Sequence, residues 1–470
     1  MSFALFLLSQ AALVPFGAAA AFHPSVRGLG TAARIAIAYG AGAVVLTVEA
    51  VVLSALGVPW SVAILALPAL AGNAVLAGRW SRRADDGPTP QALRVSRPIA
   101  ATAILASACA LWHLVASLFT SRATSVDYVL FWGAKAARFH AARGIDATLL
   151  ASRYFLHAVP DYPPLVPVVG AWSALVAGRL HWKANLLGTA LWLVAAVPVV
   201  LALLRRRMSD DEAASVAAFW TSALAISLAW SYSGGSAEAP LLFFESVAAA
   251  ALLAEDDEAP ATSRFLPAVA LAGAALTKVE GTLGAVALIG GAFWRDAAAD
   301  PRRAFRRALP LAGGLASALV LWFGFQLVSR LPVGYRSHGP LLDLHWRNLG
   351  GVLRDMVVDL RAGTLGLSWI VPAALFVLAG RRLRPVTPAL ALTGAVLLFL
   401  VFDYLHDPQE PWERIGWTLP RVSQPALSAW ILAAGFAAAR AASSSTTGIG
   451  AKVRAADQRI QGSGSGTGAR

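Results

Sequence analysis

Residues 184–204 read ANLLGTALWLVAAVPVVLALL, and Arg205, Arg206 and Arg207 follow at once. No charge interrupts the stretch. At 1.5 Å per residue it is long enough, as a helix, to cross the roughly 30 Å hydrocarbon core of a bilayer. Backbone amides and carbonyls in lipid must bond among themselves, so the segment has to be helical. Similar windows stand at 32–56, 99–119, 308–328 and 386–402. About 13 hydrophobic segments can be separated in this way, and strand-type alternation is absent, which argues against an outer-membrane barrel.

Composition agrees. Of 470 residues, 57% are hydrophobic and 14% charged, and the mean hydropathy is +0.62; a soluble domain carries about 25% charged residues. The reading is an all-α, polytopic transmembrane helical bundle with about 12–14 spans. It places a transmembrane catalytic domain over 1–440 and a disordered cytoplasmic tail, rich in Ser, Gly, Thr and Arg, over 441–470. Residues 1–22 are apolar without a basic flank before them, and read as a retained first helix rather than a cleaved signal.

A net charge of +13 raises the question of nucleic acid. The basic residues instead fall at segment ends, as in cytoplasmic loops under the positive-inside rule. These loops are expected at 79–97, 205–212, 255–264, 295–307 and 380–385. Longer polar connections at about 120–163, 329–368 and 403–421 then face outward and carry amphipathic surface helices. The expected location is the cytoplasmic (inner) membrane of the cell, multi-pass, with membrane lipids as partners and no nucleic acid. The charge rule conflicts with full crossings by both 163–178 and 184–204, so one segment in this region is re-entrant or two segments elsewhere are one. The lone Cys109 permits no internal disulfide and no thiolate metal site.

Four clusters of polar residues stand out. In the first loop, Asp127 precedes a helical stretch in which Val129, Trp132, Ala136 and Phe139 form an apolar face, with Lys135 and Arg138 expected on another face. Asp127 has two readings: an N-cap of that helix, or a general base whose pKa rises near low dielectric. The loop ends with His157, Asp161, Tyr162, Pro163 and Pro164, where Asp161 is either a turn residue or a second catalytic acid. Thr277, Lys278 and Glu280 lie between two apolar stretches. There they form either a Lys–Glu pair closing a hairpin or a cation facing a phosphate. Glu238 follows a Gly-Gly pair near a helix start, and Arg421 and Gln424 open the last helix.

These pieces, in this order over roughly 98–440, resemble the C-type glycosyltransferase superfamily, which includes protein O-mannosyltransferases and the aminoarabinose transferases of lipid A. The resemblance rests on Asp127, on Tyr162, Pro163, Pro164 and Leu165 opening a helix, and on Leu276, Thr277 and Lys278 ending another. It departs where Tyr128, not a second acid, follows Asp127. It implies an inverting membrane glycosyltransferase that moves a sugar from a polyprenyl-phosphate donor to a hydroxyl on a lipid, glycan or protein acceptor. Asp127 and Asp161 would be catalytic. Lys135, Arg138, Lys278 and Arg421 would bind the donor phosphate, with His157, Tyr162, Glu238 and Glu280 in support. No metal ligands are assigned, and a divalent metal is left open. The alternative is a transporter or flippase of a lipid-linked or small anionic solute, with Lys278 and Glu280 on its pathway.

Overall fold

The computed structural model describes residues 2–81, 92–120, 125–152, 159, 162–256, 259–331, 343–361, 363–379, 383–406 and 412–442. No strand forms among them. Three short helices, α1 (Ser2–Ala11), α2 (Leu13–Phe16) and α3 (Ala18–Phe22), lead into α4 (Thr31–Ala55), α5 (Val62–Ser81) and α6 (Arg97–Phe119). A π turn (Tyr128–Trp132), α7 (Gly133–Ala142), α8 (Ala147–Ala151) and α9 (Leu165–Ala177) follow the first long connection. Then come α10 (Trp182–Leu204), α11 (Asp210–Trp230), α12 (Glu238–Leu253), α13 (Phe265–Thr277), α14 (Val279–Ala297) and α15 (Pro301–Val328). The chain finishes with α16 (Leu349–Arg361), α17 (Gly363–Ala379), α18 (Thr387–Leu405), α19 (Trp412–Val422) and α20 (Gln424–Ala442).

Among the described residues, eight helices are long and apolar enough to cross a membrane, or nine if the bent α16–α17 pair is one broken span. The chain is therefore an all-α, multi-pass bundle. Eight is a count by length and composition alone. It leaves out segments that are short (α9, α13), interrupted (α1 to α3) or charged at both ends (α14, with Glu280, Arg295 and Asp296), of which α13 and α14 still run between the Arg264 and Lys278 ends of the bundle. Some helices turn apolar side chains outward. On α6, Ile104 is 69% and Trp112 73% exposed, a surface that suits hydrocarbon and not water.

Hydrogen bonds knit each end of the bundle. At the basic end, Arg27 donates to the Trp80 carbonyl and Arg206 to that of Ser25. Arg207 donates to Ala254 and Glu255, and Arg384 to Arg295. At the opposite end, the Trp60 amide donates to the Arg143 carbonyl, and the Tyr128 hydroxyl to that of Trp182. Helix α9 has both ends here. Tyr162, just before it, stacks on Trp132, while Trp182, just after it, meets Tyr128. So α9 does not cross, and α10 alone carries the chain from this end to Arg205. That removes the conflict with the charge rule: Pro163 and Pro164 open a segment that stays on one side.

The basic end closes on a buried ion network. Arg264 reaches Glu255 at 2.9 Å and Asp296 at 2.5 Å. Arg295 bonds both acids at 2.9 Å, and Arg307 reaches Glu255 at 2.8 Å. Burial pushes the Glu255 carboxyl up, but the hydrogen bonds and charges of Arg264 and Arg307 outweigh it and hold its pKa at about 2. A depressed carboxylate stabilises the fold above its ordinary pKa of 4.5, and that stability is lost as pH falls through about 2. Melting temperature should therefore fall between those values, with a loss on the order of 3 kcal/mol. A Glu255→Gln protein, melted over the same pH series, should lack that component.

Helix packing uses close backbone contact where side chains are smallest. At the crossing of α2 and α4, a Cβ on Gly42 would lie 1.8 Å from the Leu13 carbonyl oxygen. One on Gly17 would lie 2.0 Å from that of Ala38. Small residues let membrane helices approach in this way. Gly42→Ala should lower stability by roughly 1–3 kcal/mol through forced separation of the helices, and an unchanged melting temperature would show the crossing to be loose. Gly30, which has open space around it, is the control.

Candidate functional site

Asp127 sits where α6 and the first connection give way to the π turn. Its side chain does not cap the following helix; Ser125 Oγ takes that place, accepting from the Asp127 amide. The N-cap reading of Asp127 is thus corrected. Its carboxylate turns to Arg421, with Oδ2 2.5 Å from Nη1. The Ser125 amide donates to the Gly234 carbonyl, which ties this strip to the Gly-Gly loop before Glu238.

From Arg421 the contacts continue inward. Its Nε lies 3.2 Å from Glu238 Oε1, and Lys278 Nζ lies 3.4 Å from the same oxygen. Lys278 also pairs with Glu280 at 2.8 Å. Four elements distant in sequence therefore place Asp127, Glu238, Lys278, Glu280 and Arg421 in one continuous cluster. Lys278 joins α13 to α14 through one extended residue and pairs with Glu280 there, which is the hairpin-closing pair, while its ammonium faces the cluster. The ring of Tyr162, 8% exposed, lies 5.9 Å from Lys278 Nζ and 6.0 Å from Lys135 Nζ, within cation–π reach of both.

The helices supply charge as well as position. α19 runs on into α20 through Ser423, but α12 begins at Glu238 and α14 at Val279, so two helix N-termini meet here. Each carries about +0.5 of an elementary charge. With Lys278 and Arg421 they offset the carboxylates of Asp127, Glu238 and Glu280. Between them is a cavity of about 10 Å³, walled on its apolar side by Leu283, Val396 and Phe399; this is room for about one water. Burial raises the Asp127 pKa, Arg421 opposes the rise, and the net shift is upward.

The remaining expected residues divide. Lys135 is 1% exposed and donates to the Val159 carbonyl at 2.6 Å. It shares the buried face of Trp132, Ala136 and Phe139, contrary to the expectation that it lies on another face. Positions 132, 135, 136 and 139 share one α-helical face, while the π turn throws Val129 outward, to 50% exposure. Arg138 is not part of the cluster. It is exposed and pairs with Asp146, the N-cap of α8. His157 and Asp161 lie outside the described residues. Among the described residues, no three His, Cys, Asp or Glu side chains stand where they could hold a metal ion.

Sequence reading missed Glu245. It is 1% exposed, lines the same cavity, and neither carboxyl oxygen has a hydrogen-bond partner among the described residues. A Cβ on Gly284 would lie 1.8 Å from its Oε1. The signal was its spacing, seven residues after Glu238 and hence on the same helix face. Gln424 is also built in: it donates to Ser231 and Ser233 in the loop before Glu238. Comparison of the chain with protein-family models, curated proteins and solved structures finds no match in any of the three.

Proposed function

We propose that this chain is a membrane glycosyltransferase that takes a sugar from a polyprenyl phosphate and gives it to a hydroxyl acceptor. The observation that carries the reading is the continuous cluster of Asp127, Arg421, Glu238 and Lys278, set at helix ends on one side of the bundle. The basic end would then be cytoplasmic under the positive-inside rule, the cluster would face outward, and the protein would sit in the cytoplasmic membrane.

The chemistry follows from the groups. Polyprenyl phosphate leaves as an anion and needs cations where its charge builds up, here Lys278, Arg421 and two helix N-termini. Asp127 takes the proton of the acceptor hydroxyl as its oxygen bonds to the anomeric carbon. The bond from that carbon to the phosphate oxygen breaks, and the configuration inverts. In the resting arrangement Arg421 holds Asp127. An arriving phosphate competes for the guanidinium and leaves the carboxylate free to act as base. The polyprenyl chain would lie along apolar helix surfaces in the bilayer.

The test is transfer itself: purified protein, a radiolabelled polyprenyl-phosphate sugar and a hydroxyl acceptor, with release of polyprenyl phosphate as the readout. One observation favours the transport reading. Glu245 lies about 10 Å along α12 from Glu238, on the side toward the bundle interior, without a bonding partner, as a pathway carboxyl would. Uptake of a lipid-linked or anionic solute into proteoliposomes, with no chemical change, would support transport and count against transfer.

A further inference from the structure

The basic end holds a second cavity, of about 550 Å³. Its wall carries Arg295, Arg303, Arg307, Arg384 and Arg440, against the carboxylates Asp296 and Asp300. These residues come from the end of α14, the start of α15, the approach to α18 and the end of α20. Lys278 and Arg295 bracket α14, about 25 Å apart at 1.5 Å per residue. The cavity is therefore separate from the Asp127 cluster and on the other side of the bundle.

Among the described residues its wall carries more cations than carboxylates. Asp296 is occupied by Arg264, Arg295 and Arg307. Asp300 accepts from the backbone amides of Arg302 and Arg303 and so caps α15. Among the described residues, five arginines and two carboxylates line the wall, with Glu255 and Arg264 in the buried network behind it. The side chain of Arg303 makes no ion pair among the described residues, and that of Arg384 donates to a backbone carbonyl. An anion is the natural occupant.

Depth distinguishes between anions. Trp294, 73% exposed, adjoins Arg295, and Phe305, 61% exposed, lies between Arg303 and Arg307. Large aromatic side chains at the ends of spanning helices mark the headgroup level of a bilayer. Basic pockets between spanning helices at that level take anionic headgroups. We infer that the arginine cavity at the ends of α14, α15, α18 and α20 is a binding site for the phosphate of an anionic phospholipid in the adjoining leaflet. The site is independent of whatever chemistry the Asp127 cluster performs.

The test uses the full chain, purified in a neutral detergent, and follows its melting temperature on titration with phosphatidylglycerol, phosphatidylcholine or inorganic phosphate. Phosphatidylglycerol should raise the melting temperature saturably, and the other two should not. Arg303→Gln together with Arg384→Gln should weaken that response by at least about tenfold, each variant's rise being read against its own lipid-free melting temperature. Arg303→Gln alone, which removes no ion pair, should weaken it in part. Arg79→Gln, an exposed arginine on α5 at the same end, should leave it intact. An equal response to phosphate would overturn the lipid assignment, and an equal loss in Arg79→Gln would reduce the effect to diffuse surface charge. No response to phosphatidylglycerol, or an undiminished one in the double variant, would also overturn it.

Discussion

Asp127→Asn should lower sugar transfer by about two to four orders of magnitude, the usual contribution of a positioned general base. Asparagine keeps the shape and can still bond to Arg421, but it cannot take a proton. Binding of polyprenyl phosphate should survive, because Lys278, Arg421 and the helix N-termini remain. The pH dependence gives a second check. Burial sets the Asp127 pKa above the ordinary carboxylate value even though Arg421 opposes it. A base works only when deprotonated, so activity should rise with pH through that raised pKa and level off above it. In Asp127→Asn this limb should vanish from the residual rate. Transfer at the parent rate would remove Asp127 from the chemistry and leave the cluster as a structural ion network.

Arg264→Ala should be the most damaging change to stability, by roughly 3–5 kcal/mol, the range for removing one member of a buried ion pair. Arg264 is fully buried and bridges two acids that it alone reaches from the start of α13. Without it, Glu255 and Asp296 keep Arg295 and Arg307 but lose the guanidinium between them. Arg264→Lys should recover only part, since an ammonium cannot present the same planar fork to two carboxylates. Thermal unfolding in detergent would measure both. A melting temperature unchanged in Arg264→Ala would mean that water reaches the network and that its pairs are worth little.

The helical membrane architecture was legible because lipid imposes it: long uncharged stretches such as 184–204 have one stable conformation there. Segment ends were legible from arginines. The number of full spans was harder to read, because hydropathy does not distinguish α9, which returns to the side it left, from a crossing helix of similar composition. Within the site, Asp127, Glu238, Lys278, Glu280 and Arg421 could be singled out because ionisable residues beside apolar helices are costly and few. Their meeting in space could not be read, since it depends on how α12, α14, α19 and α20 pack. Arg138 lies off the apolar face, as its spacing indicated. Lys135 was set on the wrong face because Val129, which the π turn throws outward, was counted into the apolar stripe. Glu245 was overlooked because it sits alone in an apolar helix with no motif around it.

That π turn makes the address of Asp127 a matter of chain length rather than side-chain identity. It holds one residue more than an α turn would. Deleting one residue from 128–132 would narrow it to an ordinary α turn, whereas deleting one from the regular turns of α7 would swing everything before it by about 100°, carrying the carboxylate away from Arg421 with every chemical group intact. The outward-facing Val129 and Leu130 can change character without that penalty. The molecule tolerates a different spelling in this turn, but not a missing letter in the helix after it.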